Sequence, residues 1–188
     1  MSFQRRYTSR DLDRLPDVEG TRYEIIDGEL HVSKAPGLEH QHVCIVLGSA
    51  LHFWCVTTGH GRAFGGPGLV FSEDNDVIPD LIWISDARLR VGRNASGHIT
   101  VGPELAIEVL SPGSANERRD RVAKLGLYSR WGVDEYWIVD WRQRTVDVFR
   151  RAGDDLALVA RLGDGDRLTS PLLRGFELPV ADLWEPEA

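Results

Sequence analysis

Two short apolar runs in the middle of the chain, each broken by a single carboxylate, set the strongest limit on its fold. They are Val77-Ile78-Pro79-Asp80-Leu81-Ile82-Trp83-Ile84 and Leu105-Ala106-Ile107-Glu108-Val109-Leu110. Continuous apolar runs of this length predict strands buried on both faces. An ionised carboxylate is very costly to bury alone, so Asp80 and Glu108 each demand a compensating cation.

The flanking segments predict what packs on those strands. Residues 8–14 form a short helix, with Thr8 or Ser9 as N-cap and Pro16 just past its end. Residues 23–33, YEIIDGELHVS, form a hairpin turning at Asp27-Gly28. From Leu38 to about Thr57, apolar residues at Val43, Val46, Leu47, Ala50, Leu51 and Trp54 recur at helical steps, and Gly59 and Gly61 end the run. A Gly-rich passage from Phe64, in which Gly65-Gly66-Pro67-Gly68 reads as a turn, leads into a strand at Leu69-Val70-Phe71. It lacks the Lys-Ser or Lys-Thr of a phosphate loop. Residues 85–102 read as a surface loop, residues 115–131 as a helix closed by Gly132, and residues 135–139 and 144–149 as strands. Weak strand patterns follow. This order predicts an α/β fold, a mixed β-sheet flanked by helices after an N-terminal β-hairpin. A chain of 188 residues fits one domain, residues 1–188.

Composition narrows the class. At 42% hydrophobic and 27% charged the chain is globular rather than disordered. Cys44 and Cys55, the only cysteines, are eleven residues apart on one helix. That is roughly 16 Å, too far for a disulfide. Two unpaired thiols suit a reducing cytosol. No apolar signal region and no membrane-length run stand out, so a soluble cytoplasmic protein is expected. The net charge of −7 counts against a dedicated duplex-DNA binder, although a local basic patch or bound metal can offset it.

Glu24 joins Asp80 and Glu108 as a third hard oxygen donor, a set suited to Mg²⁺ or Mn²⁺. Each acid alone is also satisfied by an arginine or a helix end, and both readings stand at this point. Asp120, Lys124 and Tyr128 are spaced by four and line one helical face. Lys124 is one of only two lysines in an arginine-rich chain, which suits a positioning or proton-handling group. A solvated pair with Asp120 is the alternative. Arg118, Arg119 and Arg121 form either a local basic patch or a balanced surface run. His40 and Cys44 could share a metal, but no further ligands stand out, so a zinc site is not expected. Ser111-Pro112-Gly113 lacks the flanking glycines of a nucleophile elbow.

YEIIDGEL, Pro36, His40, Pro79-Asp80, Glu108-Val109-Leu110-Ser111-Pro112, Asp120, Lys124, Tyr128, Gly132-Val133 and Glu135 to Asp140, taken in order, resemble the Uma-type restriction endonuclease family. That family lies within the PD-(D/E)XK nuclease superfamily, and the resemblance spans about residues 7–183. It implies that Asp80, Glu108 and the Val109 carbonyl hold a metal, with Glu24 completing the shell. The superfamily lysine falls two residues after the second acid, where this chain has Leu110; the resemblance makes Lys124 its replacement. It also implies supporting or substrate-binding roles for Tyr128 and His40; Arg118 and Arg121 are candidates for the basic patch that an acidic nuclease needs, beside the balanced-run alternative. The implied activity is Mg²⁺-dependent cleavage of DNA, with Mn²⁺ able to substitute, by a homodimer. The rival expectations are a non-catalytic nuclease-fold binding or assembly module and a metal hydrolase of a small phosphate ester.

Overall fold

The structure, a computed structural model, describes residues 5–184. After helix α1 (Ser9–Leu12) come strands β1 (Thr21–Ile26) and β2 (Glu29–Lys34). They form the expected hairpin, with Asp27 at φ 51° and Gly28 at φ 77°, where glycine is favoured. Helix α2 (Leu38–Thr58) ends at Gly59, whose left-handed conformation turns its N–H onto the Cys55 carbonyl. Next come β3 (Arg62–Gly65), β4 (Leu69–Ser72), β5 (Asn75–Val77), β6 (Leu81–Ile84), α3 (Asp86–Gly92) and β7 (Leu105–Val109). A crossover of α4 (Ser114–Arg118), a π-helical segment (Arg119–Lys124) and α5 (Leu125–Arg130) leads to β8 (Glu135–Asp140). The chain closes with β9 (Thr145–Ala152), β10 (Asp155–Leu162), β11 (Arg167–Thr169), β12 (Glu177–Pro179) and a 3₁₀ turn at Val180–Leu183.

The central sheet has six strands in the order β10-β9-β8-β7-β6-β3. It is mixed: β7 and β8 are parallel, joined by the helical crossover, and the other pairs are antiparallel. A four-stranded sheet, β2-β1-β5-β4, carries the hairpin, and β11 pairs with β12.

Alternation along the central strands divides the core in two. Leu81, Trp83, Leu105, Ile107 and Val109 face α2 and the C-terminal segment, packing with Val43, Leu47, Leu51 and Trp54. Ile82, Ile84, Ala106, Leu110 and Ile138 face the crossover, packing with Leu127, Tyr128 and Tyr136. A strand buried on both faces reads as an unbroken apolar run, which is why β6 and β7 stand out in the sequence.

Three expectations need correction. Residues 85–102 are not all loop: Ser85 Oγ accepts the Arg88 N–H and starts α3, while Leu89 packs on the core. Gly65 is not part of a turn but pairs with Leu81 as the last residue of the edge strand β3. The helix expected over 115–131 is not regular, because six residues adopt π geometry at its centre. No helix among the described residues is long and apolar enough to cross a membrane.

Candidate active site

Register brings the two central acids together. In the antiparallel pair, Leu81 lies opposite Ile107, so the next residue along each chain is Asp80 and Glu108. Alternation then puts Glu108 on the crossover side with Ala106 and Leu110. Asp80 sits at the sheet end, where Oδ2 accepts the Val109 N–H at 2.9 Å and lies 3.1 Å from His40 Nε2 on α2. An ionised carboxylate only accepts, so His40 carries its hydrogen on Nε2. Arg22 Nη1 lies 3.4 Å from Asp80 Oδ1. Burial alone would raise the Asp80 carboxyl, but His40, Lys124 and the Val109 amide outweigh it and hold it below the usual range.

The crossover supplies the opposing charge. Lys124 Nζ lies 2.8 Å from Glu108 Oε1 and 2.8 Å from Glu24 Oε1, joining the crossover, the central sheet and the hairpin. Tyr128 donates its hydroxyl to the same Glu108 oxygen at 2.9 Å. Glu24 also accepts the Ile78 N–H at 2.8 Å. Arg119 forks onto Asp120 at 2.8 and 3.1 Å and reaches Glu24 at 3.6 Å. Tyr136 donates to the Asp120 carbonyl at 2.9 Å. Lys124 is 0% exposed, Glu24 and Glu108 1%, and Asp80 9%.

Such burial splits the acids. Glu24 is held below the usual range: burial opposes this, and Lys124 and Arg119 overcome it. Glu108 is pushed up to about 8 by burial, with Lys124 pulling against it and Asp80, Asp120 and Glu24 adding to it. Asp120 is raised, again by burial. Lys124 is raised because its three acids outweigh its desolvation.

The donors suit a hard divalent cation. Four carboxylates (Glu24, Asp80, Glu108 and Asp120) face three fixed cations, Arg22, Arg119 and Lys124. Burial raises Glu108, Asp80, Asp120 and Glu24 add to the rise, and a divalent cation would relieve that repulsion.

The expected site residues divide accordingly. Asp80, Glu108, Glu24, Lys124, Tyr128 and His40 converge, and the Val109 amide binds Asp80. Lys124 is buried, which removes the solvated-pair alternative. Arg121 does not join them: it pairs with Asp147 at 2.7 Å and Asp140 at 3.5 Å. Arg118 is exposed, and its neighbour Arg119 is the arginine that reaches the carboxylates. Arg22 and Tyr136 were not expected. Arg22 left one signal, since strand alternation puts it on the same side of β1 as Glu24. The structure also brings Asp80 to His40 and Cys44, with one ligand atom of each within 4.8 Å of the others.

Over residues 9–181 the chain matches the model of the Uma2 family, described as "putative restriction endonuclease". The chain belongs to this family. A solved structure of the same shape is described as a "putative nuclease belonging to DUF820" from Anabaena variabilis, with a TM-score of 0.73 and 20% identity. The match covers 94% of this chain and 96% of that one, so the Uma2 chain shares that fold. None of the curated proteins matches it.

Proposed function

We propose that this Uma2 chain is a single nuclease domain that hydrolyses DNA phosphodiester bonds, with Mg²⁺ as cofactor and Mn²⁺ able to substitute. The observation that carries this reading is the buried meeting of Asp80, Glu108 and Glu24 with Lys124, a carboxylate surplus at the end of adjacent strands. Asp80, Glu108, Glu24 and the Val109 carbonyl would hold the ion. Bound there, it supplies Lewis-acid polarisation of the phosphate and activation of water.

The chain's own residues do the rest. Val109 N–H and His40 Nε2 fix the Asp80 carboxylate from two sides. Tyr128 O–H anchors Glu108 from one turn beyond Lys124, a buttressing role. Lys124 holds positive charge between the acids and is the group positioned to stabilise negative charge on the phosphate. Cutting both strands takes two such centres, so the proposal includes a homodimer. Free Cys44 and Cys55 suit a reducing cytoplasm.

The near-complete burial of Glu24, Glu108 and Lys124 favours a second reading, a non-catalytic nuclease-fold module in which the cluster is a structural ion network. Supercoiled plasmid decides between them. Nicking or linearisation with Mg²⁺ or Mn²⁺, abolished by Asp80→Ala and strongly reduced by Lys124→Ala, supports the nuclease. No cleavage of double- or single-stranded DNA by folded wild type sinks it. DNA affinity should fall steeply between low and moderate salt, whereas binding of a small phosphate ester should not.

A further inference from the structure

Cys44 has no part in the proposed cleavage, yet it faces the carboxylate on which cleavage depends. His40 and Cys44 lie four residues apart on α2 and share one face, with Cys44 Sγ 3.6 Å from His40 Nδ1. The other ring nitrogen, Nε2, lies 3.1 Å from Asp80 Oδ2. One ligand atom from each of the three lies within 4.8 Å of the other two. Ligand atoms around a tetrahedral zinc-class ion, with bonds of about 2.0–2.3 Å, sit roughly 3.3–3.7 Å apart. From the 4.8 Å limit, the trio needs to close by about 1.1–1.5 Å.

We propose that His40, Cys44 and Asp80 form a second metal site, for Zn²⁺ or a similar borderline-soft divalent ion, and that filling it withdraws Asp80 from the hard-cation cluster. Imidazole, thiolate and carboxylate are the donors such ions select, whereas Mg²⁺ takes oxygen. The sulfur–metal bond forms as the Cys44 thiol proton leaves to solvent. Asp80 contributes one oxygen, and His40 the lone pair of one nitrogen in place of a hydrogen bond. The thiolate and Asp80 together balance the divalent charge beside Arg22. Cys44 is half-buried, and solvent on that side would supply water as the fourth ligand. The inhibitory consequence rests on the nuclease reading; the site itself does not.

Co²⁺ titration of the full chain tests the site without any nuclease activity, because a thiolate–Co²⁺ bond gives a charge-transfer band in the near ultraviolet. A saturable band is expected in wild type and in Cys55→Ser, and its loss in Cys44→Ser, Cys44→Ala and His40→Ala, each checked for a wild-type melting transition. No band in wild type, or a band unchanged by Cys44→Ser, overturns the site. In a second arm, Zn²⁺ equimolar with protein is added to Mg²⁺-supported plasmid cleavage. Inhibition of wild type but not of Cys44→Ser supports the coupling, and equal inhibition of both overturns it. A Cys44-dependent band from a protein that cuts no DNA upholds the metal site and overturns its link to cleavage.

Discussion

Lys124 Nζ stands 2.8 Å from Glu108 Oε1, and neither side chain has more than 1% of its surface exposed. A cluster so fully removed from water stabilises the fold little as a whole, but losing Lys124 is costly because Glu24, held ionised beside it, remains charged and buried. Glu24 shares the same ammonium, so the cost falls on the hairpin as well as the sheet. Lys124→Met should therefore lower the stability of metal-free protein by about 3–5 kcal/mol. Urea denaturation measures it, and adding Glu24→Gln should recover part of the loss. An unchanged midpoint for Lys124→Met would mean that Glu24 takes up a proton once the ammonium is gone.

Tyr128→Phe should be milder. It removes one hydrogen bond to Glu108 and opens no cavity, a loss of about 0.5–1.5 kcal/mol for a neutral carboxyl acceptor. Cleavage should be reduced but remain measurable, since the metal donors are untouched. Loss of all activity in a variant that melts like wild type would assign Tyr128 a more direct role.

Asp147 predicts the acid limb of stability. Burial would raise its carboxyl, but Arg161 and Arg121, at 3.0 and 2.7 Å from Oδ2, hold it below the usual range. A carboxyl whose pKa is lowered by folding contributes stability above its unfolded pKa of about 3.9, and loses it as pH falls through the folded value. The stability gap between wild type and Asp147→Asn should be flat down to about pH 4 and shrink below it. Arg121→Ala should narrow that gap and leave plasmid cleavage intact; a cleavage defect without a stability change would return Arg121 to the DNA-binding role.

Gly102 tests how the crossover is seated. A Cβ at this position would meet the Trp131 carbonyl oxygen at 2.1 Å, a backbone atom just past α5. Gly102→Ala should cost about 1–3 kcal/mol by thermal or urea denaturation. Because α5 carries Tyr128, cleavage should fall with it. A variant as stable as wild type would show that the Trp131 turn can shift freely.

Much of this arrangement was legible locally. The apolar runs marked β6 and β7 as fully buried strands and marked Asp80 and Glu108 as acids that needed an explanation. Asp27-Gly28 located the hairpin, and Gly59 located the end of α2. The π segment was not legible, because the apolar spacing over 115–131 suits an ordinary helix equally well. For the same reason Arg118, Arg119 and Arg121 read alike in sequence, though only Arg119 reaches Glu24.

By itself the sequence determined which residues had to be inside. Side-chain polarity and the periods of strand and helix act over a few residues, and a carboxylate within an apolar run cannot escape burial. Only the tertiary structure decided which charge answers which. Glu24 and Lys124 lie a hundred residues apart in the sequence, and Asp80 meets both His40 and Val109 through packing of α2 and β7 on one strand end. A buried charge takes whichever partner the packed chain brings within hydrogen-bond reach, and no local pattern encodes that choice.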